Sequence, residues 1–191
     1  MLFTEYEEKK NFLSKLKLIL DEMHALERRT VDQSSSDGWW RQRKIRLTTS
    51  NFGKIIKPKA TTSRKNTVKY ILYEVFCGNV ATRYGIENEP IAKKCLEIKL
   101  GVNIQLVVFL YIKKLTFLAA SSDDLIDNHK VVEIKCPPSI KDMTPEEAFE
   151  NKKFNIMSFK EGILKLITTQ SYYFQVQGIL EIPIRKKVLL L

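Results

Sequence analysis

Two acidic side chains and a lysine are spaced so that they could act together in one reaction. Asp123 lies where an apolar run meets a turn, Glu133 follows ten residues later, and Lys135 comes two residues after Glu133. Because alternate residues of a β-strand share a face, Glu133 and Lys135 are expected to project together, and a hairpin would bring Asp123 to the same end. Carboxylates hold hard cations such as Mg²⁺, and a lysine can position or deprotonate an attacking water. The pattern therefore suits metal-assisted phosphodiester hydrolysis, although the same spacing also occurs on ordinary strand surfaces.

The positive charge of the chain is concentrated in one segment. The 191 residues include 32 Lys and Arg against 22 Asp and Glu, a formal net charge of +10. Ten of the basic residues lie in residues 39–73, called the basic segment below, which contains no acidic residue. A solvated basic surface is the simpler interpretation. Because this segment holds the whole excess of positive charge and begins with a Trp-Trp pair, the sequence favours a polyanionic partner, most simply nucleic acid.

Length and composition exclude several other classes of protein. A chain that is 44% hydrophobic and 28% charged has the composition of one folded domain. No run reaches the roughly 18 apolar residues of a membrane helix, and the N-terminus lacks the basic start of a signal peptide. The odd cysteine count, without zinc-ligand spacing, predicts an intracellular protein in a reducing compartment.

Apolar periodicity and turn residues predict helices before and after a short, mostly antiparallel sheet. Thr4 and Glu7 fit a capping box at the start of the first helix. The predicted elements are helices at 5–29, 90–100 and 158–180, strands at 104–112, 116–120 and 131–136, loops at 33–38 and 57–66, and a turn at 127–130. This order predicts an α/β or α+β fold in one domain.

Five segments occur in an order and spacing typical of one protein family. They are Trp40-x-x-Arg43 with residues 47–53, then 84–92, 118–126, 133–137 and 172–178. Together they resemble the YqaJ-type viral recombinase family, relatives of phage lambda exonuclease within the PD-(D/E)XK nuclease superfamily. The resemblance implies a restriction-endonuclease-like PD-(D/E)XK core, with a central mixed sheet flanked by helices. Residues 38–191 would form this nuclease domain, and residues 1–37 an N-terminal helix and loop.

The resemblance also implies roles for residues at matching positions. Asp123 and Glu133 would bind two Mg²⁺ or Mn²⁺ ions directly, with the backbone carbonyl of Ile134. Glu89 would complete the acidic cluster through water, and Glu87 is the competing choice. The other residues implied to line the site are the catalytic lysine, Lys135, and the helix residues Tyr172 and Gln175.

A second group of residues is expected to hold the nucleic acid. The resemblance implies that Arg43, Ser50 and Ser121 bind a 5′-terminal phosphate, and the planar fork of an arginine suits phosphate oxygens. The loop at residues 57–66, called the basic loop below, adds candidate DNA-binding residues, namely Lys57, Lys59, Arg64 and Lys65.

The activity implied by the resemblance is 5′-to-3′ hydrolysis of double-stranded DNA ends, in recombination or end processing. An endonuclease on the same scaffold and a DNA-binding relative that does not cut remain the alternatives. Relatives form toroidal trimers, so the resemblance extends to a homo-oligomer, and a single-strand annealing protein is a further candidate partner. The composition of the chain indicates neither the oligomer nor the annealing partner.

The chain departs from the family pattern in two places. Relatives read Ser-Pro-Asp-Gly around the first metal ligand, whereas this chain reads Ser-Ser-Asp-Asp at residues 121–124. Asp124 therefore adds a carboxylate that could change the number or affinity of bound ions. Relatives also continue past the 172–178 helix into a further strand, which residues 188–191 can only begin, so the expected sheet lacks all or part of its last strand.

Overall fold

The computed structural model describes most of the chain, with short gaps. The described residues are 3–30, 36–73, 78–106, 110–111, 115–120, 122, 124–126, 130–161, 163–181 and 187–190. Two residues that the sequence places in the site, Ser121 and Asp123, lie outside these ranges.

The described part of the chain forms helices and short strands, with five of the strands in succession after α6. The helices are α1 Phe3–Lys15, α2 Leu20–Arg29, α3 Asp37–Ile45, α4 Phe52–Ile56, α5 Lys65–Tyr73, α6 Val80–Leu100, α7 Pro145–Glu150 and α8 Ser171–Glu181. The strands are β1 Leu47–Thr48, β2 Ile104–Leu106, β3 Leu110–Tyr111, β4 Leu118–Ala120, β5 Asp124–Ile126, β6 Lys130–Glu133, β7 Met157–Lys160, β8 Ile163–Leu166 and β9 Lys187–Leu190. Short 3₁₀ helices occur at Thr49–Asn51 and Pro138–Ile140.

The sheets combine parallel and antiparallel pairing. One sheet has the order β2-β5-β6-β9, and a smaller one has the order β1-β4-β3. Strands β5 and β6 pair antiparallel, with Asp124 opposite Val132. The predicted hairpin was wrong in one strand: β4, in the run expected at 116–120, lies in the smaller sheet, and β5 is the antiparallel partner of β6. Strand β9 runs parallel to β6, so residues 187–190 form a strand after α8, where the sequence was expected to begin one.

Helices α6 and α8 cover opposite faces of the larger sheet. Val131 packs with Ile179 of α8, whereas its neighbour Val132 packs with Leu96 of α6. Because side chains alternate along a strand, Glu133 shares the α8 side with Val131. Asp124, opposite Val132, belongs to the α6 side. The predicted fold class, an α+β arrangement with a mixed sheet flanked by helices, is confirmed.

Two buried glycines bring α8 close to the segment that contains Ser50. A Cβ built at Gly53 would lie 2.7 Å from Cα of Ser171, at the start of α8. A Cβ built at Gly178 would lie 2.7 Å from side-chain atoms of both Thr49 and Phe52. Only glycine permits this approach, so the two positions fix α8 against the Thr49–Asn51 turn.

The N-terminal prediction was wrong in its detail. The expected helix over residues 5–29 is two helices, α1 and α2, separated by residues 16–19. Thr4 lies inside the first turn rather than before it, because α1 already begins at Phe3. Asp37 and Gly38, expected in a loop, open α3, where the Ser36 hydroxyl caps the helix by accepting a bond from the Trp39 amide.

The helix predicted at 90–100 begins ten residues earlier than expected. Asn79 caps α6 by accepting a bond from the Thr82 amide, and Gly101 ends the helix in the left-handed conformation, with φ of 63°. Pro90 therefore lies inside the helix, where it lacks the N–H that would continue the hydrogen-bond ladder. The predicted C-terminal end of the helix, at Leu100, is confirmed.

The helix predicted over residues 158–180 forms only from Ser171 onward. Residues 157–166 instead form a hairpin of β7 and β8, with Phe159 opposite Leu164. Glu161 adopts a positive φ of 56° at the connection. The sequence Glu161-Gly162 between two apolar runs is typical of such a turn, and its signal outweighs the helical spacing.

Candidate active site

The carboxylate of Glu133 is the centre of a buried polar cluster. Its side chain is 1% exposed, and its Oε1 accepts hydrogen bonds from Lys135 Nζ at 2.7 Å, Gln175 Nε2 at 2.7 Å and Tyr172 OH at 3.3 Å. Buried charge is costly unless it is paired and hydrogen-bonded. The structure thus brings together four of the residues predicted from the sequence.

The position of Glu133 at the end of β6 explains how these side chains meet. After Glu133 the chain leaves the sheet, and Pro137 and Pro138, which lack amide hydrogens, prevent the strand from continuing. Lys135 still folds back on the same side, as its spacing predicts. Tyr172 and Gln175 reach Glu133 from one face of α8, because residues three apart are neighbours on a helix.

The oxygens near Lys135 have the chemistry of a site for a hard divalent cation. The ammonium of Lys135 lies 2.7 Å from Glu133 Oε1 and 2.9 Å from the carbonyl oxygen of Ile134. One cationic group thus contacts both oxygens that the resemblance names as ligands. Carboxylate and carbonyl oxygens are the donors that Mg²⁺ prefers, so the residues present fit part of such a site.

The described residues do not complete that site by themselves. Asp123 lies outside them, and within the described part of the chain no three His, Cys, Asp or Glu side chains gather into a metal-binding group. The predicted metal ligation by Asp123, Glu133, Ile134 and Glu89 stays a prediction.

Glu89 lies on α6 between two contacts of that helix, one with the segment after β6 and one with β5. A Cβ built at Gly85 would lie 3.9 Å from the carbonyl oxygen of Cys136, the residue after Lys135. Four residues beyond Glu89, Lys93 Nζ contacts Asp124 Oδ1 at 2.6 Å. Residues spaced by four share a helix face, so the half-buried Glu89 lies on the face that meets both ligand-bearing segments.

The extra carboxylate of Asp124 forms an ion pair on the α6 side of the sheet. Its side chain is 2% exposed and that of Lys93 is 23% exposed. Asp124 opposes Val132 in the ladder, whereas Glu133 points to the other face. Lys93 therefore binds one oxygen of the extra carboxylate, and an effect of Asp124 on bound ions stays a prediction.

Arg43 and Ser50, predicted to bind a terminal phosphate, are in direct contact. Arg43 Nη2 donates to Ser50 Oγ at 3.1 Å, and the guanidinium carbon lies 4.5 Å from the ring centre of Trp39. Burial lowers the pKa of Arg43 below its usual value, and Tyr70 opposes that shift. Ser121, the third predicted member, lies outside the described residues.

The basic segment contains structural arginines as well as exposed lysines. Lys57, Lys59 and Lys65 are exposed around the loop before α5. Arg64 instead donates to the carbonyls of three residues of that loop, Pro58, Lys59 and Thr62. The buried Arg46 similarly donates to Thr116 O at 2.8 Å and Leu16 O at 3.3 Å. Part of the basic segment thus stabilises the fold.

Two residues of the site were not singled out from the sequence. Trp39 stacks under Arg43, and its four-residue spacing from Arg43 was an available helical signal. Lys93 had no such signal, because a lysine on a helix usually faces solvent.

Comparisons with known proteins identify the family of the chain and proteins that share its fold. The family model of the YqaJ-like viral recombinase domain matches residues 38–182, so the chain belongs to that family. Among the curated proteins, no significant match was found.

Solved structures of an alkaline exonuclease share the fold. The crystal structure of the alkaline exonuclease LHK-Exo from Laribacter hongkongensis is 20% identical in sequence, with a TM-score of 0.58 over 81% of this chain and 73% of that chain. LHK-Exo in complex with dAMP has the same identity and coverage, with a TM-score of 0.59. In the part of the chain that the structure describes, no helix has the length and apolar character needed to cross a membrane.

Proposed function

We propose that this chain is a Mg²⁺- or Mn²⁺-dependent deoxyribonuclease that degrades double-stranded DNA from its ends in the 5′-to-3′ direction. The observation that carries the proposal is the convergence of Lys135, Tyr172 and Gln175 on the buried carboxylate of Glu133. Membership of a viral recombinase family supports recombination or end processing as the setting. A structure similar to this chain binds dAMP, a deoxynucleoside monophosphate of the kind that exonucleases release.

The protein's own groups divide the work of hydrolysis. A divalent ion bound at the Glu133 carboxylate and the Ile134 carbonyl, together with Asp123, would polarise the phosphate and lower the pKa of water. Tyr172 and Gln175 hold the Glu133 carboxylate in one orientation by hydrogen bonds to Oε1. Lys135 positions the attacking water and stabilises the negative charge that develops on the phosphate.

The direction of digestion follows from a separate phosphate site. A terminal 5′-phosphate carries more charge than an internal phosphodiester, and the Arg43 guanidinium can bind two of its oxygens at once. Ser50, in contact with Arg43, adds a hydroxyl donor. The exposed Lys57, Lys59 and Lys65 would attract the DNA backbone.

The test compares end-labelled linear DNA with closed circular DNA, each incubated with Mg²⁺ or with EDTA. Loss of linear DNA alone, only with Mg²⁺ and faster from 5′-phosphorylated ends, is the expected result. Cutting of circles would show an endonuclease. Retention of DNA without any cutting would show a binding module.

A further inference from the structure

The ion pair between Lys93 and Asp124 lies where it can control the geometry of the candidate metal site. Lys93 is one turn beyond Glu89 on α6, and Asp124 directly follows Asp123. The contact therefore joins the helix that carries one predicted acidic residue to the strand that begins beside another. At the other end of the same helix face, Gly85 approaches the backbone of Cys136, next to Lys135.

These two contacts bracket Glu89 along the helix. From Gly85 to Lys93 is eight residues, or about 12 Å of helix at 1.5 Å per residue. Apolar packing of Leu96 against Val132 and Ile134 holds α6 on the sheet, and the Ile104 amide of β2 donates to Glu97 Oε1 at 2.9 Å near the C-terminal end of the helix. Nearer to Glu89, Lys93 forms the bond to the sheet. This charge-assisted hydrogen bond of 2.6 Å is directional and fixes the position of that turn of the helix relative to β5.

We propose that Lys93 is a positioning residue for the metal site: its bond to Asp124 sets the position of Glu89 relative to the start of β5. The inference rests on the proposed function, because it assumes that the acidic residues bind a divalent ion. Asp124 acts through Lys93, whose Nζ lies 2.6 Å from its Oδ1.

Mn²⁺ binding without DNA, measured by calorimetry on folded protein, separates positioning from simple charge effects. Removing a positive charge near a cation site should strengthen binding, and removing a negative charge should weaken it. If the pair acts by positioning, Lys93→Met and Asp124→Asn both weaken Mn²⁺ binding, by about tenfold or more, as is usual for residues that orient ligands. The Mn²⁺ affinity of the double variant should be no lower than that of the single variant with the lower affinity, because the two residues act as one unit.

Lys94→Met is the matched control, since Lys94 is the exposed neighbour of Lys93 on the same helix and carries the same charge. Its Mn²⁺ affinity should equal that of the original protein. If Lys93→Met does not fold, Lys93→Arg replaces it, because arginine keeps the charge but changes the donor geometry. Lys93→Arg should also bind Mn²⁺ more weakly than the original protein.

Three results would overturn the inference. They are tighter Mn²⁺ binding by Lys93→Met, additive losses in the double variant, and unchanged binding in all Lys93 variants. In each of these cases the original protein still binds Mn²⁺ and cuts DNA, so the proposed function survives. If the original protein binds no Mn²⁺ and cuts no DNA, the proposed function fails and the inference fails with it.

Discussion

Gln175 Nε2 donates a 2.7 Å hydrogen bond to Oε1 of Glu133, joining a helix and a strand whose residues are 42 positions apart in the chain. The bond crosses from α8 to the end of β6 and orients a carboxylate that water hardly reaches. Its geometry explains why a glutamine, which offers an N–H to an acceptor-only carboxylate, suits this helix position.

We expect Gln175→Ala to reduce Mg²⁺-dependent DNA cleavage by about 10- to 100-fold, since residues that orient metal ligands have effects of this size. Loss of a hydrogen bond to a buried charge should also lower the free energy of unfolding by about 1.5–3 kcal/mol. Cleavage rates and urea denaturation measure the two effects. Gln177→Ala, at an exposed position two residues further along α8, is the control and should change neither. Equal behaviour of the two variants would show that the bond has no functional role.

The glycine contacts between α4 and α8 give a prediction about stability. A methyl group at Gly178 would lie 2.7 Å from Thr49 and Phe52 side-chain atoms, so Gly178→Ala should lower the free energy of unfolding by about 1–3 kcal/mol through overpacking. Gly85→Ala is the comparison, because its Cβ would meet only an ordinary contact at 3.9 Å. Alanine also favours the helix there by up to about 1 kcal/mol. A Gly178→Ala protein as stable as the original would mean that the two helices can separate at little cost.

Arg43 should determine the preference for one kind of DNA end. Hydrogen bonds to charged groups contribute about 1.5–3 kcal/mol, so Arg43→Ala should slow digestion of 5′-phosphorylated ends by roughly 10- to 100-fold. Digestion of 5′-hydroxyl ends should change much less. Arg41→Ala removes an exposed arginine of the same helix, one that bonds only a backbone carbonyl among its described contacts, and should spare the preference. If Arg43→Ala slows both kinds of end equally, Arg43 is a general backbone contact.

The exposed lysines of the basic loop should control the salt dependence of DNA binding. The slope of log K against log salt falls by about 0.9 for each phosphate that the protein no longer neutralises, so replacing Lys57, Lys59 and Lys65 with alanine should reduce it by up to about 2.7. Fluorescence anisotropy at several salt concentrations measures the slope. Arg64 is kept in this variant because its guanidinium bonds the loop carbonyls. An unchanged slope would assign the three lysines to solvated surface.

The features predicted correctly from the sequence depend on local signals. The contact of Glu133 with Lys135 follows from their two-residue spacing. The turn residues at 127–130 predict an antiparallel partner for β6, although that partner is β5 and not the strand expected at 116–120. The contact of Arg43 with Ser50 was implied by the family resemblance, because separate helical and loop residues give no distance by themselves.

The features that the sequence did not predict depend on tertiary packing. Residues 158–166 have apolar spacing that fits a helix or a hairpin, and only packing and the turn decide between them. The partner of Asp124 is 31 residues away on α6, and nothing local marks Lys93 as buried rather than exposed. The tight approach of Gly178 to Phe52 likewise appears only once α4 and α8 have packed.

The central claim is that Lys135 and Glu133 form the catalytic centre of a nuclease, and Lys135→Ala tests it most directly. Under the proposed function, Lys135 acts on the water and the developing phosphate charge, whereas DNA affinity comes from the basic segment. Cleavage of 5′-phosphorylated linear DNA with Mg²⁺ should therefore fall by about 100-fold or more, while DNA retention stays close to that of the original protein. Lys141→Ala, which removes an exposed lysine six residues further along, is the control for charge alone. A folded Lys135→Ala protein that cuts this DNA at the original rate would contradict the account.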